Sequence, residues 1–233
     1  MKKAYLVLQN GQVFQGFRFG AEGESLGELV FTTGMGGYLE TLTDPSYYGQ
    51  IVVQTFPLMG NYGVIPADFE GVPRLRAYVV REWCPAPSNF RCEGDLDSFL
   101  KERNIPGLWG VDTRLITRIL RDEGVMNALL CDRVPEDLAA IASYRVTDAL
   151  TAVSCGDKQV FSPAGRAAHR VALLDYGMKG NILRELTKRG CMVTVCPAST
   201  AAEDILAGGF DGLMLSNGPR EPAGNTHPHA RRR

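Results

Sequence analysis

The chain has 233 residues, of which 45% are hydrophobic and 22% charged, with a formal net charge of −1. That is apolar material for one large or two modest cores, and the balanced charge leaves no electrostatic footprint for nucleic acid or an anionic membrane surface. No apolar run reaches the roughly 18 to 20 residues that cross a bilayer, and MKKAYLVLQNGQ holds too short an apolar stretch for a secretory signal, so the cytoplasm is the expected location.

In chain order, residues 4–8, Asn10-Gly11 and residues 12–19 predict a hairpin in which Asn-Gly supplies the positive φ angles of a type I′ turn. Residues 29–33, 50–56 and 76–82 are further strand candidates, punctuated by glycines. Asp95 can cap a helix running to Arg103. Asp112 can cap a second one, in which Leu115, Ile116, Ile119 and Leu120 form an apolar stripe that ends at Gly124. Pro135 fits the first turn of a helix running to Tyr144. Strands followed by segregated helices predict an α+β domain over residues 1–150. Residues 151–169 (TAVSCGDKQVFSPAGRAAH) lose periodicity and gather small residues, which predicts a linker.

From residue 170 the pattern changes. Val171 to Leu174 reads as a buried parallel strand and Asp175 to Gly177 as a turn. A helix follows with Ile182, Leu183 and Leu186 on its apolar face, basic Lys188 and Arg189 near its negative end, and Gly190 as its stop. A second apolar run follows, then FDGLMLSNGP as a third. Ligands of open parallel sheets bind at the carboxyl ends of strands, so residues 175–181 and 216–221 would face a crevice, unless both are ordinary strand-to-helix turns.

Other features leave function open. GMGGYLETLTDPSYYGQ is either a binding loop, because bare backbone lets a ligand approach, or a set of sharp turns in a small β domain. Within it, Asp44-Pro45-Ser46 places a hydroxyl at a rigid corner. The six cysteines (84, 92, 131, 155, 191, 196) lack CxxC spacing, so neither a zinc site nor a redox pair is expected. Cys191 and Cys196 stand an odd number apart on a strand-like run, which aims them at opposite faces. His169 reads as solvated, and His227 and His229 as part of an aperiodic tail.

Four runs, GELVFTTGMGGYLETLTDPSYYGQIVVQTFPLMGNYG, WGVDTRLITRILRDEG, VALLDYGMKGNILRELTKRG and LSNGP, resemble the small (glutaminase) subunits of carbamoyl-phosphate synthase in order and spacing, from residue 1 to about 222. The resemblance implies a small-subunit amino-terminal domain followed by the start of a flavodoxin-like α/β class I glutamine amidotransferase domain over 170–233. It implies a large synthetase subunit as partner and L-glutamine as substrate. No cofactor belongs to this chain, because ATP and a divalent metal are used by the large subunit. The product, carbamoyl phosphate, feeds arginine and pyrimidine synthesis. Residue by residue, Ser46 matches the family serine that contacts glutamine, and Gly218 matches the glycine whose backbone N–H serves ligand and oxyanion hole. The next family glycine falls on Arg220.

The family's Gly-x-Cys-x-Gly elbow and its histidine before Pro-x-Glu occur nowhere in the 233 residues, so no catalytic residue is assigned. The expectation is a fragment, inactive alone, with residues beyond about 170 loosely held. The alternatives are a non-catalytic docking module for the large subunit and a flavodoxin-like nucleotide binder, the latter without a glycine-rich phosphate loop.

Overall fold

The computed structural model describes residues 1–219. They form two compact units. The first comprises Met1–Leu42, Tyr47–Phe69 and Pro73–Thr147; the second comprises Thr43–Ser46, Glu70–Val72 and the chain from Asp148 onward.

The first unit is built on strands β1 (Lys3–Leu8), β2 (Val13–Gly20), β3 (Ser25–Thr32), β4 (Gln50–Gln54), β5 (Leu58–Met59), β6 (Ala77–Val79), β7 (Glu82–Trp83), β8 (Pro106–Trp109) and β9 (Met126–Cys131). Seven of them close into a barrel in the order β1-β2-β8-β6-β4-β3-β9, while β5 and β7 pair separately. Closure follows from β1 and β9 pairing antiparallel, Tyr5 opposite Cys131, so the barrel keeps no free edge. Alternate residues point inward: Ala4, Leu6 and Leu8, Ile51 and Val53, Ala77 and Val79, Ala128 and Leu130 share one buried cluster. The helices of this unit are α1 (Tyr38–Thr43), α2 (Leu96–Glu102), α3 (Thr113–Glu123) and α4 (Ala139–Ser143).

Closure was not legible in the strand pattern, because it depends on pairings between β3, β4, β6 and β8 that are far apart in sequence. Local capping was. Asp95 accepts from the Ser98 backbone N–H at 2.9 Å and Asp112 from that of Leu115 at 3.0 Å, so α2 and α3 begin where expected. Leu115 is the exception in the α3 stripe. It is 43% exposed, whereas Ile116, Ile119 and Leu120 join the barrel core. The first hairpin also differs from the expected type I′ turn. The Leu8 carbonyl accepts from the Gly11 N–H at 2.9 Å and only Gly11, at φ +87°, is left-handed in this loop. This is a three-residue connection with a glycine bulge, in which Asn10 instead accepts from the Gln12 N–H at 3.1 Å. Pro135 lies outside α4, whose first N–H, on Ala139, is taken by the Asp137 carboxylate at 2.8 Å.

The second unit holds α5 (Ala149–Val153), β10 (Gln159–Phe161), β11 (His169–Asp175), α6 (Gly180–Lys188), β12 (Cys191–Pro197), α7 (Ala202–Ala207) and β13 (Gly212–Leu215). Residues 151–169 thus carry most of α5, all of β10 and the first residue of β11, which is the exposed His169. The sheet order is β10-β12-β11-β13, with β10 antiparallel to β12 and the other pairs parallel. One face packs Leu173, Cys191, Val193 and Val195 against Ile182, Leu183 and Leu186 of α6. The other packs Leu174, Cys196 and Ala198 against Leu150 of α5 and Ile205 of α7. Cys191 and Cys196 therefore do face opposite ways, and all six cysteines are free thiols.

Candidate functional site

The carboxyl ends of β11 and β13 converge on one hydrogen-bonded corner of the second unit. Asp175, 6% exposed, closes β11 with three backbone bonds. Its Oδ1 accepts from the N–H groups of Gly177 at 2.9 Å and Met178 at 2.8 Å, and its Oδ2 accepts from Cys155 at 2.8 Å. A short acceptor at this position bends the chain sharply out of the strand, because it satisfies the donors that leave the ladder.

The two expected crevice runs are joined directly. The Tyr176 N–H donates to Ser216 Oγ at 2.9 Å, and the Lys179 N–H donates to Asn217 Oδ1 at 2.9 Å. Asn217 Nδ2 donates to the Gly177 carbonyl at 2.9 Å and to Ser46 Oγ at 2.8 Å. Ser46 is thus tied to Asn217, the immediate sequence neighbour of Gly218. Since Asn217 donates to it, the Ser46 hydroxyl is turned to donate its own proton elsewhere. At Gly218 a Cβ would sit 2.2 Å from the Tyr176 carbonyl oxygen, a distance no side chain tolerates, so this backbone stays bare. Arg220, His227 and His229 lie outside the described residues, as does Glu221.

The segments 43–46 and 70–72 are fastened to the same corner. Asp44 Oδ1 accepts from the Ser46 N–H at 2.9 Å, and its Oδ2 lies 3.0 Å from Lys179 Nζ. At the start of α6 the Glu70 carbonyl accepts from the Gly180 N–H at 2.7 Å, and its carboxylate accepts from the Asn181 N–H at 2.8 Å. A carboxylate against the first N–H groups of a helix suits the positive end of its dipole. Of these residues Glu70 was not singled out by the sequence reading, and Asp44 entered it only as part of the Asp44-Pro45-Ser46 turn. Asn217 entered only as part of the 216–221 run, inside the SNGP motif. At the end of the glycine-rich run before α1, the N–H groups of Gly37 and Tyr38 both donate to Tyr62 Oη at 3.1 Å, and the Tyr38 and Tyr62 rings stack at 4.1 Å.

Among the described residues no group of three or more His, Cys, Asp or Glu side chains is placed to hold a metal ion. Among the described residues no helix is long and apolar enough to cross a membrane. Beside the corner, Cys155 borders a cleft of about 490 Å³ with Leu150, Ser154 and Pro197. Burial, together with the Asp175 charge, pushes its thiol up to about 11. A raised thiol contributes stability that is complete below about pH 8.5 and is lost as pH rises through 11. The thiolate is the reactive form, so iodoacetamide at pH 8 should label Cys155 at least about tenfold more slowly than a model thiol, and faster with each added pH unit. Peptide mass spectrometry across pH 7 to 10 reads this; a rate equal to that of the model thiol would contradict it.

The profile for the carbamoyl-phosphate synthase small chain, CPSase domain, matches residues 6–130, and that for class I glutamine amidotransferases matches residues 172–233. The chain belongs to the carbamoyl-phosphate synthase small-chain family. It is similar to the carbamoyl phosphate synthase small chain of Bacillus anthracis, 50% identical over 225 residues, covering 94% of this chain and 60% of the relative. The protein of the same name from Listeria monocytogenes serotype 4b is 49% identical over 227 residues, covering 95% and 62%. The chain thus spans about 60% of the length of the curated relatives it matches. The first matched region covers the barrel except for the outer ends of β1 and β9, and the Asp175 to Gly218 corner falls within the amidotransferase match.

Proposed function

We propose that this protein acts as the small subunit of a glutamine-dependent carbamoyl-phosphate synthase, in the cytoplasm, in company with a large synthetase subunit. The role is to take part in releasing ammonia from L-glutamine for carbamoyl phosphate synthesis, with ATP and a divalent metal bound by the large subunit. The observation that carries this reading is the order of the two matched regions, small-chain domain then amidotransferase, at about half identity along nearly the whole chain. The Ser46–Asn217–Gly218 corner supports it. A hydroxyl aimed to donate and a bare backbone beside it suit the carboxylate and amide of a small amino acid.

The chemistry of amide hydrolysis asks for more than this corner supplies. An amide is a poor electrophile, so amidotransferases of this class use a thiolate nucleophile, a histidine to move protons and an oxyanion hole. The 233 residues hold neither a Gly-x-Cys-x-Gly run nor a His-Pro-x-Glu run. Cys155, at the corner, has a thiol shifted away from the thiolate and is a poor substitute. This favours a second reading in which the chain docks on the large subunit without performing hydrolysis itself.

The purified chain is therefore expected to release no ammonia from L-glutamine, alone or with a large subunit, yet to bind that subunit in sedimentation or pull-down. Ammonia release by the chain alone would overturn the assignment of no nucleophile. Failure to bind any large subunit would overturn the partner reading.

A further inference from the structure

An asparagine followed by glycine is open to ring closure, because glycine sets no side chain beside the backbone nitrogen that attacks the asparagine amide. The sequence holds two such pairs, Asn10-Gly11 and Asn217-Gly218, and the fold treats them differently. Asn217 is locked. Its Nδ2 donates to Ser46 Oγ and to the Gly177 carbonyl, and its Oδ1 accepts from the Lys179 N–H. The backbone of Gly218 is pressed against the Tyr176 carbonyl, so neither partner of the ring closure turns toward the other while these contacts hold.

Asn10 and Gly11 are both exposed, in the bulged loop between β1 and β2. Asn10 Oδ1 accepts from the Gln12 N–H at 3.1 Å, which folds the side chain back over the Gly11 peptide. Gly11 itself is held by one bond, from its N–H to the Leu8 carbonyl at 2.9 Å, and an exposed turn bond opens at low cost. The amide nitrogen has a different neighbour. Asn10 Nδ2 donates to Glu123 Oε2 at 2.9 Å, and Glu123 is the last residue of α3. This contact joins the first hairpin to a helix end where a carboxylate already opposes the dipole.

We propose that Asn10 is a site of spontaneous covalent modification, converted through a succinimide to aspartate and isoaspartate, with release of the contact between the first hairpin and the end of α3, while the fold protects Asn217. The Gly11 nitrogen gives its proton to solvent base and attacks Asn10 Cγ. The Cγ–Nδ2 bond breaks, and the leaving nitrogen takes up a proton and departs as ammonia. Water then opens the ring. Cleavage between Cγ and the Gly11 nitrogen gives aspartate; cleavage between the Asn10 carbonyl carbon and that nitrogen gives isoaspartate, whose main chain runs through Cγ and is one methylene longer. No electron changes hands, and one amide and one water become one carboxylate and one ammonium. In the aspartate form a carboxylate oxygen replaces the donor that faced Glu123, and two carboxylates at hydrogen-bonding distance cannot both stay ionised, so the contact opens at neutral pH. In the isoaspartate form the lengthened chain also displaces the acceptor of the Gln12 N–H.

The test incubates the purified 233-residue chain at pH 8 and follows both peptides by mass spectrometry. Isoaspartate is scored by methyl transfer from labelled S-adenosylmethionine with a protein-isoaspartate methyltransferase. In the folded chain, modification at Asn10 is expected at least about tenfold faster than at Asn217, since one exposed bond must open at the first and several buried ones at the second. In urea the two rates should fall within about threefold of each other, because neither pair is then held. Asn10→Gln should abolish the reaction at the first site, its longer side chain requiring a larger ring. Asn10→Asp should speed hydrogen exchange at residues 121–123 by at least about threefold, and adding Glu123→Gln should restore native exchange by removing the second charge. That rescue would not follow from mere loss of the asparagine. No modification at Asn10, equal rates at the two sites in the folded chain, or a difference that persists undiminished in urea would each overturn the fold-protected assignment. Unchanged exchange at 121–123 in Asn10→Asp, or no rescue by Glu123→Gln, would overturn the release of the α3 end.

Discussion

Asp175→Ala is expected to unfold the second unit while the barrel keeps its own melting behaviour. The carboxylate accepts three backbone N–H groups, from Gly177, Met178 and Cys155, at a position only 6% exposed. Each buried donor left unpaired costs about 1 to 3 kcal/mol, so the sum is about 3 to 9 kcal/mol. That is comparable to the whole stability of an ordinary domain, about 5 to 15 kcal/mol, and this unit includes an uncovered strand. Asp175→Asn keeps one oxygen and should lose about half as much. Hydrogen exchange is the measurement, because it resolves two units that a single melting curve would merge. Protection at β11 and β12 should collapse in the alanine variant, with β1, β4 and β9 unchanged. A loss below about 1 kcal/mol would mean that the corner is held by Ser216 and Asn217 instead.

This dependence shows why the site was only half readable in the sequence. The strand and turn around Asp175 are local: an apolar run, a short acceptor and a glycine state them within a few residues. So are the caps at Asp95 and Asp112 and the apolar face of α6. Gly218 and Ser46 entered through family resemblance, and the physical reason for Gly218 emerges only when the Tyr176 carbonyl is placed 2.2 Å from its missing Cβ. What ties Ser46 to Gly218 is Asn217, whose amide reaches across a sequence separation of 171 residues. No periodicity or spacing encodes such a contact. The same holds for Asp44 with Lys179 and Glu70 with the start of α6, in which surface-looking carboxylates prove to be about nine-tenths buried.

The barrel makes the complementary point. Its inward residues alternate as a half-buried strand should, and the strand positions were largely legible. The closed order was not, because it is written in β-pairings whose partners the chain visits out of sequence. The linker reading failed on α5 and β10 for a related reason. Cys155 and Phe161 are the isolated apolar positions of this stretch that pack on the Leu173 cluster, and isolated positions produce no period.

One inward position of the barrel breaks its apolar pattern, and it sets the second large expected effect. Arg18 continues the inward set of β2 after Phe14 and Gly16, and its side chain is only 7% exposed. Its Nε donates to Asp132 Oδ1 at 2.9 Å, while Nη1 and Nη2 are buried with no hydrogen-bond partner among the described residues. Asp132 also meets Lys2 Nζ at 2.7 Å. The hydrogen bond from Lys2, and then that from Arg18, holds the Asp132 carboxyl below the usual carboxylate range. A depressed carboxyl contributes stability above its unfolded value near pH 4, and that stability is lost as pH falls through the folded value. Removing one partner of a buried pair leaves a bare charge and costs about 3 to 5 kcal/mol; Asp132 is about one-third exposed, so Asp132→Ala is expected to cost about 2 to 3 kcal/mol. Arg18→Met should be near neutral or stabilising, since it removes two unpaired buried nitrogens and leaves an acid still paired with Lys2. In the double variant most of the loss should return, a coupling of about 2 kcal/mol that urea denaturation of the four proteins would measure. If Arg18→Met proves as damaging as Asp132→Ala, the guanidinium is a net stabiliser of the barrel end, and its unpaired nitrogens are satisfied in a way that the protein groups around it do not show.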